Sequence, residues 1–201
     1  MLKTFINALK IDDIRKKLGY TFLMLIVIRL GSQLPTPGVN PDFVKEFFAG
    51  ISAGGAFNFF NAFTGGSFEQ LSIFALSISP YITSSIIVQL LTIAIPKLEE
   101  MQKDGEEGRK KINQITRYVT VALAVIQATA MAVGFGNQGL LEGGKLTWSN
   151  GIIFVFTLTA GSAFLMWAGE RITEKGIGNG ISVILLVNIL STVPNDFLNL
   201  Y

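Results

Sequence analysis

The chain has no cysteine and no histidine. Thiolate and imidazole metal sites, cysteine nucleophiles and histidine-based triads are therefore excluded. Disulfides are excluded as well, so cysteine usage says nothing about redox compartment. Charge is also scarce. Asp, Glu, Lys and Arg make up 15% of the 201 residues, against about 25% in a soluble domain. The net charge of +2 is too small to mark a nucleic-acid binder. Residues 71–96, 118–141, 146–169 and 176–195 contain none of these four residue types. A bilayer-spanning helix needs about 20 predominantly apolar residues, and each stretch is long enough for one. The composition specifies an all-α polytopic membrane protein, read as a single membrane domain over residues 1–201. Intramembrane proteolysis does not fit: a Ser–His site lacks its base, and no aspartate lies inside a span to make a paired site.

Residues 1–17 read as an amphipathic cytosolic helix. Leu2, Phe5, Ile6 and Leu9 recur at helical spacing, Ile14 and Leu18 follow one turn apart, and Lys3, Lys10, Arg15, Lys16 and Lys17 form a cationic side. Such a segment either lies in the headgroup region or is a solvated lead-in to the first span. That span, residues 18–34, has a clean apolar run only from Leu18 to Ile28, ahead of Arg29. A basic region before a short apolar core also describes a signal peptide, but no small-x-small cleavage site follows. The chain instead reads Leu34-Pro35-Thr36-Pro37-Gly38, a rigid exit turn. An arginine in mid-bilayer costs about 2.5–3.5 kcal/mol or more, so Arg29 is expected to snorkel to the far interface or to find a partner.

Residues 47–68 carry no charge and are long enough to span. They also contain Gly50, Gly54, Gly55, Gly65 and Gly66 among seven phenylalanines. Each glycine costs about 1 kcal/mol of helix propensity, and backbone of this kind is tolerated at membrane depth only when buried in protein or lining a cavity. The distribution of basic residues decides between a span and a re-entrant half-helix. Cytoplasmic loops carry the Lys and Arg. The N-terminus, residues 97–117 and residues 170–176 hold thirteen of the sixteen, and the outer loops hold only Lys45 and Lys145. All three basic regions fall on one side only if 47–68 does not cross. The expectation is five transmembrane helices, with the N-terminus cytoplasmic, and a re-entrant half-helix at 47–68. The spans are 18–34, 71–96, 118–136, 151–169 and 177–194.

The span at 71–96 contains Pro80, which is expected to kink it. Ser77, Ser79, Thr83, Ser84 and Ser85 cluster round that point, and Gln89 follows. Close helix packing through small residues and a face on an aqueous or mobile interface both account for this. Ile78 and Ile82, spaced i, i+4, are expected to share one side. Residues 97–117 are charged, mixed in sign and punctuated by glycine. They read as a solvated cytosolic hairpin or a docking surface for a soluble partner. The Gly176-Ile177-Gly178-Asn179-Gly180 run lacks the GxxxxGK[ST] spacing of a phosphate loop. It reads as a tight cytosolic turn whose glycines permit close helix approach.

Three strings carry a resemblance: FTGGSFEQLSIFALSISPYITSSIIVQLL, GRKKINQITRY and FLMWAGERITEKGIGNGISVILL. With the LPTPGV exit turn they resemble the SecY family, the central subunits of the bacterial protein-conducting channel. The resemblance runs along essentially the whole chain, and it implies a fold of ten spans in two inverted halves, of which this chain is similar to the N-terminal half. It implies a plug helix on the outer side, matched by Phe57, Asn58, Phe59, Phe60, Asn61, Phe63 and Thr64, with Gly65 and Gly66 as hinge. It implies an apolar pore ring that includes Ile78, Ile82, Ile181 and Leu185, where Leu185 stands in a place usually held by Ile. Apolar constrictions gate by dewetting, and without the resemblance these four residues would read as core or lipid-facing. It also implies a lateral gate, for which Thr83, Ile86, Gln89 and Gln127 are candidates, although an interior Gln is equally a helix–helix hydrogen bond.

The implied function is conduction of secretory proteins across the cytoplasmic (inner) membrane of bacteria and release of membrane proteins into it. The implied partners are SecE-like and SecG-like small membrane subunits, a SecA motor or a ribosome, signal sequences and translocating polypeptides, and the lipid bilayer. No specific nucleic acid, catalytic residue, cofactor or metal is expected. Two alternatives stay open. The half could act alone as an antiparallel homodimer, since inverted repeats make that geometry reasonable, although the bias of basic residues opposes it. It could also be half of a secondary transporter, although such proteins use intramembrane ionisable groups, and here Arg29 is the one inside a span, with Glu69 at a span end.

Overall fold

A computed structural model of the protein describes residues 11–51, 55–139 and 148–198. Among them run eight helices: α1 (Asp12–Gly31), α2 (Pro41–Ile51), α3 (Gly55–Thr64), α4 (Ser79–Ala94), α5 (Pro96–Lys103), α6 (Gly105–Gly136), α7 (Trp148–Lys175) and α8 (Gly180–Leu198). No strand occurs among the described residues beyond an isolated antiparallel bridge between Pro35 and Ser72. The fold is all-α.

Residues 1–10 of the expected amphipathic helix lie outside the described residues. From Asp12 onward the expected lead-in and the expected first span form one helix, which ends at Gly31. Asp12 and Asp13 stand in its first turn, where the helix dipole favours acids, and they pair with Arg15 at 2.9 Å and Lys17 at 3.3 Å.

Three expectations change. First, residues 47–68 are not one half-helix. Two short helices, α2 and α3, occupy the region, and residues 52–54 between them are outside the described set. Second, Pro80 does not kink a helix that starts at residue 71. It stands in the first turn of α4, where its missing N–H is no loss. Residues 71–78 are turns. The Thr36 amide donates to Leu71 O and the Ile73 amide to Leu34 O, both at 3.0 Å, so the exit turn after α1 claims the backbone groups that a longer helix would need. The sharp bend falls instead at Ile95-Pro96, where α4 and α5 meet at 102°. Third, the hairpin expected at residues 97–117 is built of helix. Its residues form α5 and the first turns of α6, folded together so tightly that a Cβ on Gly108 would collide with the Met101 carbonyl.

α6 and α7 are long and apolar enough to cross a membrane, α4 with α5 passes only as a bent pair, and the apolar part of α8, Gly180–Thr192, is shorter. The 32 residues of α6 extend about 48 Å, beyond the roughly 30 Å hydrocarbon core, so its charged start stands outside.

Two apolar clusters hold the helices together. Val44 and Phe48 of α2, Leu71, Ala75 and Leu76 of the turn segment, Ala124, Ala128 and Ala132 of α6, and Phe154 and Leu158 of α7 make the first. The alanines recur at i, i+4 and let α6 lie close to its neighbours. Met24 and Ile28 of α1, Phe74, Ile78, Leu165, Ala168 and Ile172 of α7, and Ile184 of α8 make the second.

Candidate functional site

The second cluster is where the sequence-expected ring residues meet. Ile78 is a fully buried member, and Ile82, Ile181 and Leu185 are half-buried and packed against it. Ile78 and Ile82 do not share a regular helix face. Ile78 is the N-cap of α4, with φ −92 and ψ 4, although its carbonyl still accepts from the Ile82 amide at 3.0 Å. Ile181 is placed by glycine chemistry on α7. A Cβ at Gly169 would collide with Ile181 Cδ1, and one at Gly180 would collide with the Gly169 carbonyl and approach Ile172 Cβ to 2.8 Å. The start of α8 therefore rests directly on the α7 backbone.

The turn before α8 is a helix cap. Asn179 Oδ1 accepts from the Ile181 amide at 3.0 Å, and Thr173 Oγ1 accepts from the Gly180 amide at 2.8 Å, the expected way to satisfy first-turn donors. Thr21 of α1 accepts from the Ile177 amide at 3.2 Å, which ties the turn to the first helix.

A cavity of about 420 Å³ lies among α4, α6, α7 and α8. Ile82 and Ile181 line its apolar side, with Ile86 and Gln89 further along α4. Its rim carries Arg117 and Glu170 in a two-pronged pair: Arg117 Nε donates to Glu170 Oε1 at 2.9 Å, and Nη2 lies 2.8 Å from Oε2. Sequence reasoning missed this pair. Both residues fall inside the strings that carry the resemblance, but they are 53 positions apart and nothing local links them.

α3 packs against α8. Its C-terminal end is fastened twice over. Asn61 Nδ2 donates to Glu69 Oε2 at 2.8 Å while the Glu69 amide donates to Asn61 Oδ1 at 3.2 Å. Thr64 Oγ1 donates to Asn61 O and accepts from the Phe68 amide. Gly65 and Gly66, between these anchors, have φ of +68 and +81, which only glycine adopts at no cost. Phe60 meets Phe68 edge-on at 4.9 Å, and Phe68 reaches Phe135 of α6 at 6.1 Å and Phe48 of α2 at 5.6 Å. Arg29 finds its partner here: Nη1 donates to Gly65 O at 2.8 Å.

A SecY family model matches residues 72–201 of the chain. The protein translocase subunit SecY of Halalkalibacterium halodurans is 46% identical over 204 residues, covering 100% of this chain and 46% of the relative. The subunit of the same name from Bacillus subtilis is 45% identical over 206 residues, with the same coverage. The chain belongs to the SecY family. It spans about half the length of the curated relatives that it matches. In fold it is similar to the channel of the canine ribosome-channel complex from the endoplasmic reticulum and to a second solved protein-conducting channel. Each has a TM-score of 0.64 at 20% identity, over 90% of this chain and 37% of the other.

The SecY-derived expectations can now be located. The four residues expected in the ring share one cluster. Of the plug residues, Asn61, Thr64, Gly65 and Gly66 form the fastened end of α3, Phe59 and Phe63 stack at 6.2 Å, Phe60 lies on Phe68, and the side chains of Phe57 and Asn58 lie outside the described residues. Two of the four lateral-gate candidates, Ile86 and Gln89, line the cavity, whereas the exposed Thr83 hydroxyl bonds back to Ser79 O at 3.0 Å and the half-buried Gln127 stands on α6 away from the cavity.

Proposed function

We propose that this chain builds one half of a protein-conducting channel, a passive conduit and not an enzyme, that passes secretory proteins across the cytoplasmic membrane and releases membrane proteins into it. The observation that supports this most is the convergence of Ile78 and Ile82 with Ile181 and Leu185 in one cluster beside an open cavity. Apolar side chains at a constriction exclude ions by dewetting, and they close round a moving chain without hydrogen bonding to it. In this reading the four residues are half of the pore ring, α3 is the plug, and Ile86, Gln89, Thr83 and Gln127 belong to the gate wall. The N-terminus is cytoplasmic. Energy comes from a ribosome or a SecA motor, and SecE-like and SecG-like subunits brace the assembly. The homodimer and transporter readings are not favoured, since the family's own members carry about as much sequence again as this chain.

The test uses the full-length channel containing these residues, reconstituted with its small subunits. Replacing Ile82 and Ile181 together by Asn is expected to raise resting ion leak several-fold. A leak equal to the parent's would remove both residues from the pore.

A further inference from the structure

Arg29 is the one basic residue within the predicted spans, and the channel reading gives it no task. Among the described residues its half-buried guanidinium meets no carboxylate; its partner there is the Gly65 carbonyl, at 2.8 Å. Gly65 is buried and wedged. A Cβ there would come within 2.9 Å of Arg29 Nη1, 3.1 Å of Asn188 Oδ1 and 3.2 Å of Asn188 Cα. Asn188 of α8 is 6% exposed and reaches Ser77 Oγ at 3.4 Å. The end of α3 therefore sits in a polar seat between α1 and α8.

The paired glycines are not a free hinge in this arrangement. The Asn61–Glu69 clasp and the bond between Thr64 and the Phe68 amide both bridge them, so α3 and residues 65–69 form one unit. Arg29 holds that unit by its backbone. We propose that Arg29 is a positioning residue that latches α3 shut: its guanidinium, donating to Gly65 O, keeps the unit in its seat until an entering chain displaces it. The proposal rests on the reading of α3 as the plug. A charged donor in low-dielectric surroundings makes a strong hydrogen bond. A carbonyl acceptor, unlike a carboxylate, carries no net charge, so breaking the bond separates no ion pair. Such a bond shifts a two-state balance about tenfold or more, enough to matter while still reversible.

The experiment takes the full-length channel with its small subunits in proteoliposomes. These residues include no cysteine, so once any cysteine in the remaining sequence and the small subunits is replaced by Ser, a thiol introduced as Ala62→Cys on α3 reports the accessibility of the unit to an impermeant reagent added from outside. Arg29→Met is expected to raise the labelling rate and the resting leak about tenfold, and Arg29→Lys, which keeps a charged donor, to stay within about threefold of the parent. If Arg29→Met leaves both readings unchanged while the Ile82 and Ile181 double variant leaks, the latch is wrong and the channel reading stands. If Arg29→Lys rises as far as Arg29→Met, the donor is not what holds α3, and the latch is equally overturned. If the double variant fails to leak, the channel reading falls, and the labelling rate alone judges Arg29. Should Arg29→Met not assemble with the small subunits, Arg29→Gln, too short to reach Gly65, is read in its place against the same thresholds.

Discussion

Gly161 and Gly134 have the same side chain and opposite surroundings. A Cβ on Gly161 of α7 would collide with the Ile73 carbonyl oxygen and stand 3.1 Å from Ile73 Cγ2. A Cβ on Gly134 of α6, or on Gly19 of α1, would meet nothing within 4 Å. Backbone cannot step aside as the tip of a side chain can. Gly161→Ala is therefore expected to destabilise the protein by about 1–3 kcal/mol. Gly134→Ala and Gly19→Ala remove only the helix penalty of glycine and are expected to stabilise by roughly 0.5–1 kcal/mol. Thermal unfolding of the three variants in one detergent ranks them, and a melting point for Gly161→Ala above that of Gly134→Ala would refute the packing argument. Gly176 and Gly180 are legible in the sequence as points of close approach, because they cluster at a turn between two apolar runs. A Cβ on Gly176 would indeed collide with Thr21 Oγ1. Gly161 and Gly169 are not legible in that way. Their partners, Ile73 and Ile181, are named only by the fold. The same holds for Arg29: an arginine in an apolar span announces that it needs a partner, but a carbonyl acceptor leaves no residue type to search for.

Helices were legible where charge-free length and periodicity agreed, as in α6 and α7. They failed where remote backbone claimed the hydrogen bonds. Residues 71–78 are as apolar as any helix, yet Leu34 and Thr36 pair with them, and Ser77 turns with φ +51 while its carbonyl accepts from Ser162 Oγ at 3.4 Å. The reverse holds at residues 97–117, where polar composition predicts only a solvated hairpin and the chain is helical. There, local pairs and the covering of Gly108 by Met101 support helix instead. In α5, Lys103 Nζ stands 2.6 Å from Glu99 Oε1 across one turn. The hydrogen bond to Lys103, followed by its charge, holds the Glu99 carboxyl below the ordinary carboxylate value. A depressed folded-state value means that the pair supports α5 at pH above the ordinary carboxylate range, and that this support fades as pH falls through the lowered value. Glu99 is fully exposed, so the effect is confined to this turn. In a carboxyl-carbon NMR titration, Glu99 is expected to titrate at lower pH in the parent than in Lys103→Met. Equal midpoints would show that the pair does not form in solution.

For the whole molecule, the decisive quantity is the asymmetry of charge along the membrane normal. Thirteen basic residues fall in the N-terminal, 97–117 and 170–176 regions, against Lys45 and Lys145 in the other loops, with Arg29 inside the first expected span. The structure gives the middle region a form: α5 is bent 102° away from α4, and the charged start of α6 continues beyond the membrane-crossing length of that helix. Basic flanks orient short-looped proteins strongly, so a chain of this composition is expected to take one orientation. An antiparallel homodimer needs two orientations in equal number. A thiol introduced as Lys103→Cys in the cysteine-free sequence separates the cases. In sealed inside-out vesicles, where the cytoplasmic face is exposed, an impermeant reagent is expected to modify essentially all of it. In right-side-out vesicles it should modify none until detergent is added. Labelling of about half the molecules in each preparation would instead mean dual topology. The chain would then meet a copy of itself across the membrane plane, and the wall proposed to face Ile86 and Gln89 would be sought in that copy. Labelling from the cytoplasmic face alone leaves that wall to the sequence that the longer family members carry in the same chain.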